Sequence, residues 1–128
     1  MIRRLFFSAA LLLSLAAPAL AGSSSTQEAV SKQFTDHTFV YIDPVSKLET
    51  YIYLGRFGTF DRYVPCEFQD GLWSVTDDGK VCIIENDETI PPACYTPRTR
   101  NGAVTFLKPG GEVAFISKLQ KGFRLPFG

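Results

Sequence analysis

The sequence is poor in the side chains from which most catalytic and metal sites are built. It has one histidine, His37, one tryptophan, Trp73, one methionine, and three cysteines, Cys66, Cys82 and Cys94. A zinc site would need His37 together with cysteines or carboxylates, and no close Cys or His spacing brings such ligands together. No metal and no cofactor are therefore expected. Ser31, Ser46, Ser74 and Ser117 offer hydroxyls for a Ser-His-Asp triad, but no nucleophile-elbow motif accompanies them. A Cys66 and His37 pair is the least implausible enzyme, and oxidising conditions would tend to consume its thiol. The expectation is a protein that is not an enzyme, with His37 as a surface or capping residue.

Long apolar runs are also missing. The longest, Leu5 to Ala17, follows the basic Arg3 and Arg4 and precedes Ala19-Leu20-Ala21. A basic start, a short apolar stretch and an A-x-A site read as a secretory signal peptide over 1–21, too short for a spanning helix. No lipobox cysteine precedes Gly22, so the expected location is the periplasm, with no stable membrane insertion after cleavage. Cleavage after Ala21 leaves 107 of the 128 residues, one domain. It also removes Arg3 and Arg4, leaving 11 basic against 13 acidic side chains, a net charge of −2. That balance argues against nucleic acid and gives no attraction to an anionic membrane.

What the mature chain does contain is β grammar. After a leader at Gly22 to Ser25, residues 26–34 read as a short helix capped by Ser25 or Thr26, with Ala29, Val30 and Phe34 on one side. This leader and helix occupy 22–37, the β domain 38–122, and a tail 123–128. Strands are expected over Thr38 to Ile42, Leu48 to Leu54, Phe57 to Val64, Cys66 to Gln69, Leu72 to Thr76, Lys80 to Glu85, Ala93 to Arg98, Ala103 to Leu107 and Glu112 to Lys118. Turn signals separate them at Asp43-Pro44, Gly55, Gly58, Gln69-Asp70-Gly71, Asp77-Asp78-Gly79, Asn101-Gly102 and Lys108 to Gly111. The pattern predicts an all-β fold, a small antiparallel meander of about 7–8 short strands closed into a barrel or folded into a sandwich.

The central hairpin is Gly71 to Ile84. Alternation puts Trp73 and Val75 on one face and Leu72, Ser74 and Thr76 on the other. Val81 to Ile84 is apolar on both faces and belongs mid-sheet or under a second layer. Trp73 is expected as a core anchor, or else as a ligand-stacking ring at a barrel mouth. Export makes a disulfide available, with Cys82–Cys94 the first choice of pairing and Cys66–Cys94 the next, and the odd thiol a buried spare. The clustered aromatics Tyr51, Tyr53, Phe57, Phe60 and Tyr63 are expected mostly in the core. Glu85 to Glu88 reads as an acidic loop tip, and Arg98 and Arg100, with Lys108 on a neighbouring turn, as a small basic cluster.

Gly71 to Cys82, then Cys94-Tyr95, Asn101-Gly102, Phe106, Gly110-Gly111 and Lys121-Gly122 together resemble a domain-of-unknown-function family of small exported Gram-negative bacterial proteins. Its pattern runs Gly-x-Trp-x-Val, Asp-Gly-x-x-Cys, a second Cys, a Gly-centred hairpin and a late Lys-Gly, and the likeness spans Thr38 to Gly122. The resemblance implies an all-β periplasmic domain in which Trp73, Cys82 and Cys94 hold structural pattern positions. Some members also carry a cysteine where Cys66 stands.

Two functions are expected from these features. The first is a non-enzymatic binding or accessory protein, acting on an envelope protein or a small ligand, with Trp73, Glu88, Arg98 and Arg100 as candidate binding residues. The second is a periplasmic inhibitor of a lysozyme or protease that inserts the Glu85 to Cys94 loop, stiffened by Pro91, Pro92 and a bridge.

Overall fold

The computed structural model describes residues 26–126. The signal peptide, the leader with Ser25 as a cap, and the end of the tail lie outside the described residues. A helix, α1, covers 26–34. Eight strands follow: β1 His37–Ile42, β2 Glu49–Leu54, β3 Thr59–Val64, β4 Glu67–Val75, β5 Val81–Glu85, β6 Ala93–Arg100, β7 Ala103–Leu107 and β8 Val113–Lys121. Each pairs antiparallel with the next, and β8 pairs back onto β1, so the sheet is a closed meander barrel and not a sandwich. Closure leaves no strand edge open to another chain.

Antiparallel succession sorts the connections to two ends. Turns 55–58, 76–80 and 101–102 lie at the end where α1 sits, and loops 43–48, 65–66, 86–92 and 108–112 at the other. The helix closes its end. Phe34 is fully buried and meets Phe39 edge-on at 5.2 Å between ring centres. The inward stripe is Gln27, Val30, Ser31 and Phe34, a spacing of i, i+3, i+4 and i+7. Ala29 lies outside that stripe and is exposed, contrary to the sequence reading. Gln27 Nε2 donates to the Val75 carbonyl at 2.8 Å, tying the helix to β4. On the outer wall, Thr38 Oγ1 donates to the Gly122 carbonyl and accepts from the Arg124 N–H, so the chain end buttresses β1.

The hairpin turns form as their residues require. Gly79 has φ 89°, and Asn101 and Gly102 have φ 52° and 79°, the two left-handed positions of a tight primed turn. One turn signal misleads. Gln69-Asp70-Gly71 does not turn the chain, and the two strands expected around it are one nine-residue strand, β4. Gly71 stands opposite both Phe60 and Glu85. A Cβ on it would lie 2.2 Å from the Ile84 carbonyl oxygen and 2.6 Å from the Phe60 ring. This glycine serves close approach within the sheet, which a turn signal mimics in sequence.

The core is the lower barrel: Phe39, Ile52, Leu54, Phe60, Trp73, Val81, Ile83, Val104 and Phe106, with Phe34 from below. A void of about 20 Å³ lies between these side chains and Tyr95 and Phe115 above them. Of the five clustered aromatics expected mostly in the core, only Phe60 is there. Tyr51, Tyr53 and Tyr63 occupy outward positions, and Phe57 is 94% exposed in the 55–58 turn. Val81 and Ile83 point inward, while Cys82 faces outward and joins Cys94 directly across the sheet. The bridge accounts for Cys82 on the outer face of β5, where Ile84 stays 37% exposed with no second layer over it. It also crosses the barrel's shortest pairing, three residue pairs between β5 and β6, where hydrogen bonds alone hold least. Cys66 is exposed rather than buried. It sits with φ 67° after Pro65 in the two-residue β3–β4 turn, where the chain must reverse at once.

Replacing Gly71 by alanine forces Phe60 or β5 to move. The expected cost is about 1–3 kcal/mol, the overpacking range, measured as a lower urea midpoint; an unchanged midpoint would show that the close approach is not a packing constraint.

Candidate functional site

The upper barrel is built by the same alternation as the core, with polar residues on the inward phase. On β3 the inward series is Phe60, Arg62, Val64, and on β5 it is Val81, Ile83, Glu85. Each series places one charge inside the barrel, Arg62 on β3 and Glu85 on β5, and the two charges are opposite. Arg62 Nη1 lies 2.5 Å from Glu85 Oε1, and Nη2 donates to Oε2 at 2.8 Å, a two-point pairing. A second Nη1 hydrogen goes to Gln69 Oε1, on the residue opposite Arg62, at 2.8 Å. The guanidinium rests over the Phe60 ring, 5.1 Å from its centre. Burial opposes the Arg62 charge, but the Glu85 hydrogen bonds and charge outweigh it and hold Arg62 above its ordinary value. Glu85 is therefore an interior residue, not part of the acidic loop tip expected from sequence.

Above this pair the barrel opens into a cup of about 510 Å³, within the range of small-molecule sites. Tyr41 from β1 and Phe115 from β8 form one wall, stacked 4.0 Å apart with planes 19° from parallel. Tyr95 from β6 meets Phe115 edge-on at 5.5 Å. Asp43, Glu67 and Lys108 stand around the mouth. Burial pushes the Tyr41 hydroxyl up to about 12, with Arg62 pulling the other way, and raises Tyr95 in the same manner. Both phenols thus stay protonated donors at any physiological pH, and neither hydroxyl has a hydrogen-bond partner among the described residues. Arg62 has five N–H groups, of which three are engaged. The acceptors are more fully occupied. Asp43 takes the backbone N–H groups of Ser46 and Val45, bonds that outweigh its burial and hold it below the usual carboxylate range. Glu67 accepts from Gln69.

The four residues singled out from sequence are not gathered in this cup. Trp73 is buried in the lower barrel, its Nε1 donating to the Gly55 carbonyl at 2.8 Å. Glu88 is exposed in loop 86–92. Arg98 and Arg100 face outward on β6, opposite Thr105 and Ala103, whereas Lys108 lines the cup, so the expected basic cluster is divided. His37 begins β1 at the closed end, where its Nδ1–H donates to the Thr35 carbonyl at 2.8 Å. Cys66 is at the open end, so the Cys-His pair is not assembled. Among the described residues no cluster of His, Cys, Asp and Glu is arranged to hold a metal ion. Sequence reading missed Arg62, Glu85, Tyr41 and Tyr95. The available signal was parity: Arg62 two residues after Phe60, and Glu85 two after Ile83, are charges in the phase of the core.

No protein-family model matches the chain, and no curated protein does.

Two predictions follow from the interior pair and the stacked tyrosine. Arg62→Ala strands a buried carboxylate and is expected to cost about 3–5 kcal/mol, while Arg62→Met combined with Glu85→Leu costs far less or nothing. Urea unfolding of both variants decides this, and equal losses would mean the pair contributes through packing alone. Tyr41 ionises near 10 in the unfolded chain and near 12 in the folded one. Its contribution is therefore whole below pH 10 and is lost as pH rises toward 12, about 2–3 kcal/mol in all. Unfolding at pH 9 and pH 12 should show a smaller drop in Tyr41→Phe than in the parent chain, with Tyr95, raised in the same way, supplying part of what remains; an undiminished drop would assign it elsewhere.

Proposed function

We propose that this chain is an exported, non-catalytic binding protein of the periplasm that holds a small, uncharged, acceptor-bearing ligand in its open-end cup. The observation that carries the reading is the surplus of donors at the base of the cup: two phenol hydroxyls and two Arg62 N–H groups without partners, beside carboxylates that already have theirs. These donors are open to the cup rather than sealed from solvent, and a ligand carbonyl or hydroxyl can take the place of the water they would otherwise bond. The cup lining sets Asp43 and Glu67 against Arg62 and Lys108, and Glu85, outside that lining, already pairs with Arg62, so an anion gains no net attraction and the ligand is neutral. The stacked Tyr41 and Phe115 wall suits a flat or ring-shaped ligand. A long acyl chain is disfavoured because the lower barrel is filled by its own side chains. The Cys82–Cys94 bridge agrees with an oxidising compartment. Membership of the exported family that the Gly71 to Gly122 pattern resembles is part of the same proposal.

A second reading is favoured by one feature. Loop 86–92 is ordered by its own contacts: Asp87 accepts from the Thr89 N–H and hydroxyl, Asn86 Nδ2 donates to Asp70, and the bridge pins its base. Such a loop suits insertion into the cleft of an envelope lysozyme or protease.

Amide NMR of the mature protein separates the two. Neutral mono- and disaccharides, including N-acetylated ones, are expected to shift Tyr41, Tyr95 and Phe115, and Tyr95→Phe to weaken binding by about 0.5–1.5 kcal/mol. Silence across the neutral panel ends the cup proposal, and shifts confined to 86–92 on adding a lysozyme support the loop instead.

A further inference from the structure

The outer wall of the barrel carries a division of charge that the cup does not use, and of which only Asp70 also serves the loop, by accepting from Asn86 Nδ2. Outward strand positions bear six charged side chains. Glu49, Asp61 and Asp70 lie on β2, β3 and β4, and Arg98, Arg100 and Lys118 on β6 and β8. None of the six has an ion-pair partner among the described residues; the ion pairs there are Arg62 with Glu85 and Lys80 with Asp78. In a ring of eight strands β3 lies opposite β7, so the acidic and basic faces are on opposite sides of the barrel.

The acidic face is also the apolar one. Tyr51, Tyr63 and Phe68 stand in one row across β2, β3 and β4, and Leu72 faces Ile84 in a parallel row. Phe68 and Leu72 are each 51% exposed. Between the rows Asp61 and Asp70 are direct cross-strand partners, a like-charge pairing that is unfavourable in an isolated barrel. Burial, and then Asp70, hold Asp61 above the usual carboxylate range. The opposite side offers the complement. Arg98, Thr105 and Ile116 form one row and Arg100, Ala103 and Lys118 the next, with Ile116 61% exposed between cations.

We propose that the acidic, aromatic face of β2–β5 docks on the basic face of β6–β8 of a second copy of this chain. The pairing places Arg98 and Arg100 against Asp61 and Asp70, and Ile116 against the Tyr63, Phe68 and Leu72 surface. Because the two faces are different and opposite, the contact is head-to-tail and extends into rows rather than closing as a two-fold dimer. The inference is independent of the cup, since neither Asp61 nor Asp70 lines it.

Sedimentation velocity of the mature protein tests it, in a Cys66→Ser background so that no intermolecular disulfide contributes. The weight-average mass is expected to rise with concentration beyond twice the monomer at about 0.01 M salt, where charges act over ~30 Å, and to return to the monomer at about 1 M, where they act over ~3 Å. Asp61→Asn with Asp70→Asn blocks one face, and Arg98→Gln with Arg100→Gln blocks the other. Each double variant alone should remain monomeric, and their mixture should stop at a one-to-one dimer, because each copy keeps one working face. A monomer at all concentrations in low salt overturns the proposal, as does association that ignores salt or survives either double variant. The salt series on the chain with both faces intact decides the matter even if a double variant does not fold.

Discussion

The upper and lower halves of this barrel meet at the Arg62–Glu85 pair. Two charges are held inside a small barrel because Gly71 leaves a gap in the wall between them. Phe60 leans into that gap, its ring becomes a platform for the guanidinium, and Glu85, beside Gly71 on the next strand, closes the pair. The desolvation of each ion is offset by two charge-assisted hydrogen bonds and a third to Gln69. Below this layer the interior is apolar and filled, and above it the barrel is open and lined by aromatic and charged side chains together. The pair thus acts as the floor of the cup and the ceiling of the core.

The rest of the fold supplies what a barrel of such short strands lacks. An aromatic column runs from the plug to the cup, Phe34 to Phe39 to Phe106 to Phe115 to Tyr41, each ring 4.0 to 5.2 Å from the next. One sequence of ring contacts therefore serves stability at its lower end and the candidate site at its upper end. Helix α1 seals the bottom, the chain end braces β1, and the disulfide crosses the seam where the sheet is least paired. Covalent and aromatic reinforcement stand in for the larger core that a domain of this size cannot build.

Much of the fold was legible from local pattern. Helix α1, the Asp77 to Gly79 and Asn101-Gly102 turns, the hairpin carrying Trp73 and the Cys82–Cys94 bridge each follow from a few neighbouring residues. Gly71 was misread because a glycine needed for close approach has the same letter as one needed for a turn, and only the position of Phe60 distinguishes them. The candidate site was less legible. Arg62 and Glu85 are 23 residues apart in sequence, and nothing local to either says that the other is its partner. Tyr41, Tyr95 and Phe115 come from three strands, and their meeting depends on the register of the whole meander. Trp73, the most conspicuous side chain in the sequence, lies in the core, since a large ring that can satisfy its one N–H on a nearby carbonyl gains most from full burial.

By itself the sequence determined the class of the fold, the number and order of most strands, and the cysteines able to bridge, because alternation, turn chemistry and cross-strand position are properties of short segments. Closure of the barrel, the merging of two expected strands into β4, the interior ion pair and the division of outer charges between opposite faces were decided only by tertiary structure. Each depends on which strands lie side by side and in what register, and that is set when β8 returns to pair with β1.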